Sequence, residues 1–106
     1  MHYKVRLPEK YITAIIEAFE GNFDISDHLW IFGSRIDLQA KGGDIDLYIE
    51  THETDLDKAI RNKSKMVSQI WRAVGEQKID VVLNILSLNS DLPIHAIAKQ
   101  NGVLLK

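Results

Sequence analysis

The chain contains no cysteine among its 106 residues. Disulfide bonds and thiolate metal sites are therefore excluded. No apolar run is long enough to span a membrane, and residues 1–6 lack the apolar core of a secretory signal. These absences predict a cytoplasmic protein without a membrane partner.

The chain also has little excess of either charge, because its formal net charge is only −2 and its pI is near 6.0. Extensive contact with a nucleic-acid backbone requires a clustered basic surface, so this composition does not favour a nucleic-acid partner. Internal repeats and proline- or glycine-rich linkers are absent too. Residues 1–106 are therefore predicted to form one domain, with no room for a separate substrate domain.

Neither of the common glycine-rich phosphate motifs, GxGxxG and the Walker loop, occurs in the sequence. The most informative stretch is residues 30–50, which read WIFGSRIDLQAKGGDIDLYIE. An apolar strand ends there at Gly33 and Ser34. A chain that turns from a strand into a helix presents free backbone N–H groups to an anion. Gly33 has no side chain to obstruct a phosphoryl oxygen, and Ser34 can donate a hydrogen bond.

The second half of this stretch is a strand that carries Asp44 and Asp46. In a strand they project from the same face, together with Tyr48 and Glu50, which lie further along and are left out of the predicted site. Two neighbouring carboxylates repel each other, and a divalent cation is the simplest way to keep both ionised. Their hard oxygen atoms suit Mg²⁺, with Mn²⁺ as the other candidate. The predicted ligand is a polyphosphate chelated to a metal ion.

A third carboxylate, Asp80, is the only acidic residue in the largely apolar stretch 78–86. A charged group is rarely placed in such a stretch without a partner. If this strand pairs beside the one that carries Asp44 and Asp46, all three carboxylates can share one face. Three carboxylates can hold two cations, which suits an in-line displacement of pyrophosphate.

Each of these residues also has a simpler interpretation. Asp44 and Asp46 alone are compatible with solvated positions at the start of an edge strand. Gly33 can serve only a tight turn, Ser34 only a helix cap, and Arg35 only a solvated helix surface. The combination of all of them with the third carboxylate favours a metal and nucleotide site.

The residues GS, nine intervening residues, DID and the later strand with Asp80 resemble the signature of the polymerase-β-like nucleotidyltransferases. The tripeptide GSR, which ends at Arg35, is most similar to the motif of their minimal nucleotidyltransferase branch. The resemblance implies that branch's fold, two bound Mg²⁺ ions and ATP as the nucleotide donor. It also implies two sets of site residues: the catalytic and metal-binding carboxylates Asp44, Asp46 and Asp80, and the nucleotide-binding residues Gly33, Ser34 and Arg35.

The same resemblance implies a reaction and a partner. An acceptor hydroxyl attacks the α-phosphate of ATP, and pyrophosphate leaves. Short chains of this branch often pair with a small HEPN-domain toxin, and some act as antitoxins by transferring AMP to a tyrosine of that toxin. We therefore expect an antitoxin that forms a hetero-oligomer with a HEPN protein. A small molecule or an RNA end is the alternative acceptor.

The sequence departs from the family pattern directly after Arg35. Many minimal nucleotidyltransferases continue with a second arginine and a glycine, whereas residues 36–39 here read IDLQ. An aspartate near the path of the triphosphate would repel it unless the side chain points away or binds metal. This departure favours the alternative of a non-catalytic antitoxin or nucleotide-binding module that neutralises its partner by masking it. The three intact aspartates favour catalysis.

Hydrophobic periodicity predicts three helices and three strands in the main part of the chain, and the resemblance implies that they form an α/β (α+β) fold, with a small mixed sheet of about three strands flanked by helices. The inward stripe of the long helix includes Ile60 and Trp71, and that of the last helix consists of Ile94, Ile97 and Ala98. The apolar tail at 103–106 is expected to pack on the sheet or on a partner. The predicted elements, in order, are a helix from Pro8 to Asn22, a strand at 29–32, a short helix at 34–38, a turn at 39–43, the carboxylate strand ending at Glu50, a helix at 55–74, a strand at 78–86, and a helix from 91 or 93 to 101.

Overall fold

Three helices and four strands lie in the parts of the chain that the computed structural model describes, which are residues 7–33, 45–88 and 92–106. The short helix predicted at 34–38 and the turn predicted at 39–43 lie outside these ranges. The helices are α1 (Glu9–Asn22), α2 (Leu56–Val74) and α3 (Pro93–Asn101). The strands are β1 (His28–Phe32), β2 (Ile45–Thr51), β3 (Ile79–Ile85) and β4 (Val103–Leu104), and a single 3₁₀ turn, Leu86–Leu88, follows β3.

Local sequence signals explain where α2 begins and ends. The side chain of Asp55 accepts a hydrogen bond from the backbone N–H of Lys58 (3.2 Å), which caps the first turn. Gly75 follows the last turn with a φ of 95°, a left-handed conformation that favours glycine. The helix predicted from these residues therefore agrees closely with the structure.

The four strands form one mixed sheet in the order β3-β2-β1-β4. β1 runs antiparallel to both β2 and β4, whereas β2 and β3 are parallel. The predicted fold class, a small mixed sheet flanked by helices, is confirmed. The additional fourth strand comes from the apolar tail, where the backbone N–H groups of Leu105 and Lys106 both donate to the carbonyl of Leu29 (2.8 and 3.2 Å). The tail thus packs on the sheet, which is one of the two predicted alternatives.

Helices cover both faces of the sheet. α1 and α2 pack on one face and contribute Phe19 and Met66 to its buried apolar cluster. A smaller cluster on the other face contains Trp30, Tyr48 and Ala98, the last of which belongs to α3. Asp46 shares the face of β2 on which Tyr48 lies, and Asp80 is in register with Asp46, so both aspartates lie on the α3 side of the sheet.

The orientation predicted for α3 is right for Ala98, which is buried, and wrong for the two isoleucines. Ile94 and Ile97 should point inward by the helical pattern, but they are 40% and 50% exposed. His95 is buried in their place. The small side chain of Ala98 lets the helix approach the sheet, and the His95 ring then lies 5.7 Å from the ring of Tyr48. This contact between distant parts of the chain decides the orientation, and helical periodicity alone does not contain it.

The inward stripe predicted for α2 is too wide. Ala59, Met66 and Ile70 are buried, but Ile60 and Trp71 are 44% and 37% exposed. β3 forms one edge of the sheet, so no further strand of the described chain lies beneath the outer flank of α2. That flank therefore keeps its apolar side chains in contact with solvent.

Candidate functional site

Asp46 and Asp80 lie side by side on neighbouring strands. β2 and β3 pair in parallel with Asp46 directly opposite Asp80, which is the pairing that the prediction required. Neighbouring strands lie about 4.8 Å apart, and residues in register project from the same face. Asp46 is half-buried and Asp80 is exposed, so a ligand can reach the two carboxylates from solvent.

Gly33 lies at the end of β1, next to Asp46. Its φ of 82° is in the left-handed region that favours glycine. Phe32, the last residue of β1, pairs with Asp46, and the Asp46 carboxylate fills the space that a Cβ atom at Gly33 would need. The glycine therefore lets the chain turn at the end of the strand and also leaves room for the carboxylate.

Half of the predicted site residues lie in the described part of the chain, and the structure brings them together: Gly33, Asp46 and Asp80. The others lie outside the described residues: Ser34, Arg35 and Asp44. Within residues 7–33, 45–88 and 92–106, no three His, Cys, Asp or Glu side chains are grouped so that they could hold a metal ion. The two described aspartates offer hard oxygen atoms that suit Mg²⁺ or Mn²⁺, and further donors have to come from outside this part of the chain.

Replacing Gly33 with alanine should lower the free energy of unfolding by about 2–3 kcal/mol, because alanine resists the positive φ and its Cβ displaces the Asp46 carboxylate. Gly75→Ala is the matched control, since Gly75 also has a positive φ but no atom lies within 4 Å of a Cβ built there. We expect the control to lose only about 1 kcal/mol in urea denaturation. Equal losses would show that the carboxylate does not constrain the residue at position 33.

A cavity of about 380 Å³ lies on the same face, further along β2 and beneath α3. The Tyr48 hydroxyl donates to Glu50 Oε2 (2.7 Å) and accepts from Asn84 Nδ2 (3.0 Å). Lys99 of α3 lies 3.3 Å from the same Glu50 oxygen and 5.3 Å from the centroid of the Trp30 ring. The face that carries the two aspartates therefore continues into a cavity that is lined in part by hydrogen-bonded polar side chains.

The sequence interpretation missed the residues of this cavity. It placed Tyr48 and Glu50 on the correct face but left them out of the site. His95 and Lys99, which also line the cavity, come from α3 and reach it only through the packing of that helix on the sheet. Alternation along β2 indicates Tyr48 and Glu50. No short-range sequence pattern indicates His95 and Lys99.

A larger cavity, about 530 Å³ in volume, lies at the opposite end of β1 and β2, around Asp27. Asp27 is only 3% exposed. Its carboxylate accepts hydrogen bonds from the Thr51 hydroxyl (2.8 Å) and from the backbone N–H groups of His52 (2.8 Å) and Asp24 (3.1 Å). Nothing in the sequence had singled out Asp27, because a polar residue before a strand is common. The carboxylate joins the loop before β1 to the end of β2.

Ser26, His52 and Asp27 are neighbours, but they do not form a catalytic relay. Ser26 Oγ (3.4 Å) and Asp27 Oδ1 (3.1 Å) both approach the same ring nitrogen of His52, Nδ1. In a relay the nucleophile and the carboxylate contact different nitrogens. Ser26 Oγ instead donates to Asp24 Oδ2 (2.6 Å), and this hydrogen bond holds the pKa of Asp24 below its ordinary value. This cluster orders the loop and offers no nucleophile.

Comparison with known proteins supplies no identity, since no protein-family model matches the chain and no curated protein matches it significantly. The resemblance to minimal nucleotidyltransferases therefore stays a prediction. Among the helices of residues 7–33, 45–88 and 92–106, none combines the length and the apolar character that crossing a membrane requires. The function has to be argued from the geometry of the carboxylate face.

Proposed function

We propose that this chain is a magnesium-dependent nucleotidyltransferase that transfers AMP from ATP to a hydroxyl acceptor. One observation carries the proposal: Asp46 and Asp80 face each other in register on parallel strands, with the Asp46 carboxylate against Gly33. Two ionised carboxylates on neighbouring strands repel each other, and a bound cation would offset that repulsion. Gly33 lets the chain turn beside these carboxylates, so its backbone lies next to the ligand that they would hold.

The carboxylates would bind the metal ions, and one of them would also accept a proton. Asp46 and Asp80 would hold two magnesium ions together with Asp44, which directly precedes β2 in the sequence. When bound, the ions would neutralise charge on the phosphates and favour loss of the proton from the acceptor hydroxyl. Asp80 is the more exposed of the two described carboxylates, so it is the better placed to accept that proton from an incoming acceptor.

The remaining predicted residues would bind the nucleotide. Gly33 allows the phosphates to come close to the backbone, while Ser34 and Arg35 would donate hydrogen bonds to them. By resemblance to the minimal branch, the acceptor is a tyrosine of a HEPN-domain toxin, and the modification neutralises the toxin. The chain would then be an antitoxin that acts in a hetero-oligomer with its target, without contact to nucleic acid or membrane.

A transfer assay tests this reaction. The chain is incubated with a HEPN-domain protein as the acceptor, with Mg²⁺ and with ATP labelled at either the α- or the γ-phosphate. We expect label on the partner only from the α-phosphate, because the γ-phosphate leaves within pyrophosphate. Asp46→Asn should abolish the transfer, and Asp57→Asn, an exposed position on α2, should not. Transfer of the γ-label would indicate a kinase reaction and contradict the proposal.

The second candidate function is neutralisation of the same partner by masking, without transfer. The sequence IDLQ at residues 36–39 favours it, because this segment departs from the phosphate-binding pattern of the minimal branch. The two functions differ in what Asp46→Asn does when the chain is co-expressed with the toxin. Loss of protection from the toxin supports catalysis, and full protection supports masking.

A further inference from the structure

β3 lies at an edge of the sheet, so one side of its backbone pairs with β2 and the other side has no partner strand among the described residues. Edge strands are usually protected against pairing with another chain by charged side chains, most often lysine, or by proline, a bulge or short length. β3 is seven residues long, its sequence, IDVVLNI, contains no lysine, arginine, proline or glycine, and its one charged residue is Asp80. This edge can therefore accept another strand in a register that does not place the two Asp80 side chains opposite each other.

The direction of the backbone groups fixes which residues of β3 face outward. The N–H of Ile45 donates to the carbonyl of Lys78 (3.0 Å), so the carbonyl group of Lys78 points toward β2. In a strand these directions alternate from one residue to the next. The N–H and C=O groups at the odd-numbered positions 79, 81, 83 and 85 therefore point toward the open edge.

The sequence of β3 is complementary to itself in an antiparallel pair centred on Val82. Val82 of one copy then lies opposite Val82 of the second copy, and Asp80 of each copy lies opposite Asn84 of the other. The other opposed pairs are apolar: Ile79 with Ile85, and Val81 with Leu83. In this register the outward-pointing residues of both copies face each other, so they form the hydrogen-bonded pairs. A carboxylate opposite an amide and apolar side chains opposite each other are both favourable across a strand pair.

The flank of α2 above β3 extends the same surface. Gln69 accepts a hydrogen bond from Asn22 of α1 (3.0 Å), so one flank of α2 faces α1. On the other flank, the Trp71 indole donates to the carbonyl of Gln77 (2.7 Å), just before β3. Helical spacing places the exposed Ile60 on this second flank as well. The open edge of β3 is therefore bordered by exposed apolar side chains of α2.

The two ends of this surface are also complementary in the same register. Position 77 of one copy lies opposite position 87 of the other, because each pair is symmetric about Val82. Trp71, which is bonded to Gln77, thus lies level with the second copy's 3₁₀ turn. The exposed side chains of that turn are Leu86 and Leu88, at 37% and 55%. Apolar groups that are in solvent in the single chain would cover each other in the pair.

From this self-complementarity we infer that a second copy of the chain docks on the β3 edge, forming a two-fold symmetric dimer with one continuous sheet. The contact is isologous, since the same residues are used on both sides and the pair is closed. Asp80 has two carboxylate oxygens, so an amide opposite one of them leaves the other for a ligand. The dimer therefore does not depend on the proposed nucleotide transfer and is tested without nucleotide.

Cysteine cross-linking tests the register. The chain has no cysteine of its own, and Val82→Cys places two thiols opposite each other in a non-hydrogen-bonded pair, about 4.5 Å apart between Cα atoms. Mild oxidation should convert most of this variant to a covalent dimer. Leu104→Cys is the control, because it is 51% exposed on the other edge of the sheet. If random collisions between chains formed the disulfide, the exposed cysteine of Leu104→Cys would cross-link faster than the half-buried cysteine of Val82→Cys. Faster cross-linking of Leu104→Cys would overturn the inference.

Sedimentation of the unmodified chain tests the dimer itself. At about 0.1 mM chain we expect a species of twice the 12.1 kDa monomer mass. Ile60→Glu should weaken the dimer at least about 10-fold by placing two charges near the symmetry axis. Ile94→Glu, on the exposed side of α3, should leave it unchanged. A wild-type monomer at this concentration, or equal weakening by both variants, would overturn the inference.

Discussion

Asp46→Asn should remove magnesium-dependent ATP binding while leaving the fold intact. Asparagine keeps the shape of the side chain beside Gly33, but it carries no charge to hold a cation opposite Asp80. Even outer-shell residues of metal sites change metal affinity by about 10–100-fold when replaced. Loss of a direct carboxylate ligand should therefore weaken ATP binding by at least about 100-fold. Calorimetric titration of ATP with and without Mg²⁺ measures this directly.

The controls separate a metal effect from a general charge effect. Asp57→Asn changes the net charge of the chain by the same amount at an exposed position on α2, and it should bind ATP like the wild type. Thermal unfolding of Asp46→Asn should stay close to the wild-type curve, which shows that the site and not the fold is lost. Wild-type binding that is independent of Mg²⁺, or unaffected by Asp46→Asn, would contradict the proposed site and favour masking.

Asp27→Ala should lower the free energy of unfolding by about 3 kcal/mol, the range expected when one partner of a buried polar network is removed. The variant leaves the Thr51 hydroxyl and the backbone N–H groups of His52 and Asp24 without their acceptor. These donors are at the junction between the loop before β1 and the end of β2. Urea denaturation followed by circular dichroism gives the difference in stability.

Two further variants define what Asp27 contributes. Asp27→Asn keeps the volume but replaces one acceptor oxygen with a donor, so it should recover only part of the stability. Asp24→Ala, at the exposed neighbouring position, should lose clearly less stability than Asp27→Ala. If Asp27→Ala and Asp24→Ala were equally mild, the buried carboxylate would not be what joins the loop to the sheet.

The elements of this fold were predictable because local signals agree with the packing. The apolar periodicity of residues 55–74 predicts a helix, and in the structure Asp55 caps its start and Gly75 follows its last turn. The faces of α2 and α3 were predicted less well. Ile94 and Ile97 fit an inward stripe by spacing, but the buried contact of α3 is made by His95 with Tyr48 of β2, and a contact between distant residues leaves no periodic trace.

The candidate site was predictable to a similar degree. Gly33, Asp46 and Asp80 are separated widely in sequence, yet alternation along the strands and one assumed pairing were enough to place them together, and that pairing is present. The hydrogen bonds of Asp27 were not predictable, because they depend on where the loop before β1 meets the end of β2. The roles of Ser34, Arg35 and Asp44 stay predictions.

The two tryptophans lie on opposite faces of the sheet and in different surroundings. Trp30 is buried beside the Tyr48 ring with the Lys99 ammonium above it, next to the cavity beneath α3. Trp71 is partly in solvent beside the edge of β3 and is fixed by its bond to Gln77. Their fluorescence should therefore differ in emission wavelength and in access to quenchers. The chain carries two intrinsic optical reporters, one for events on the carboxylate face and one for events at the open edge.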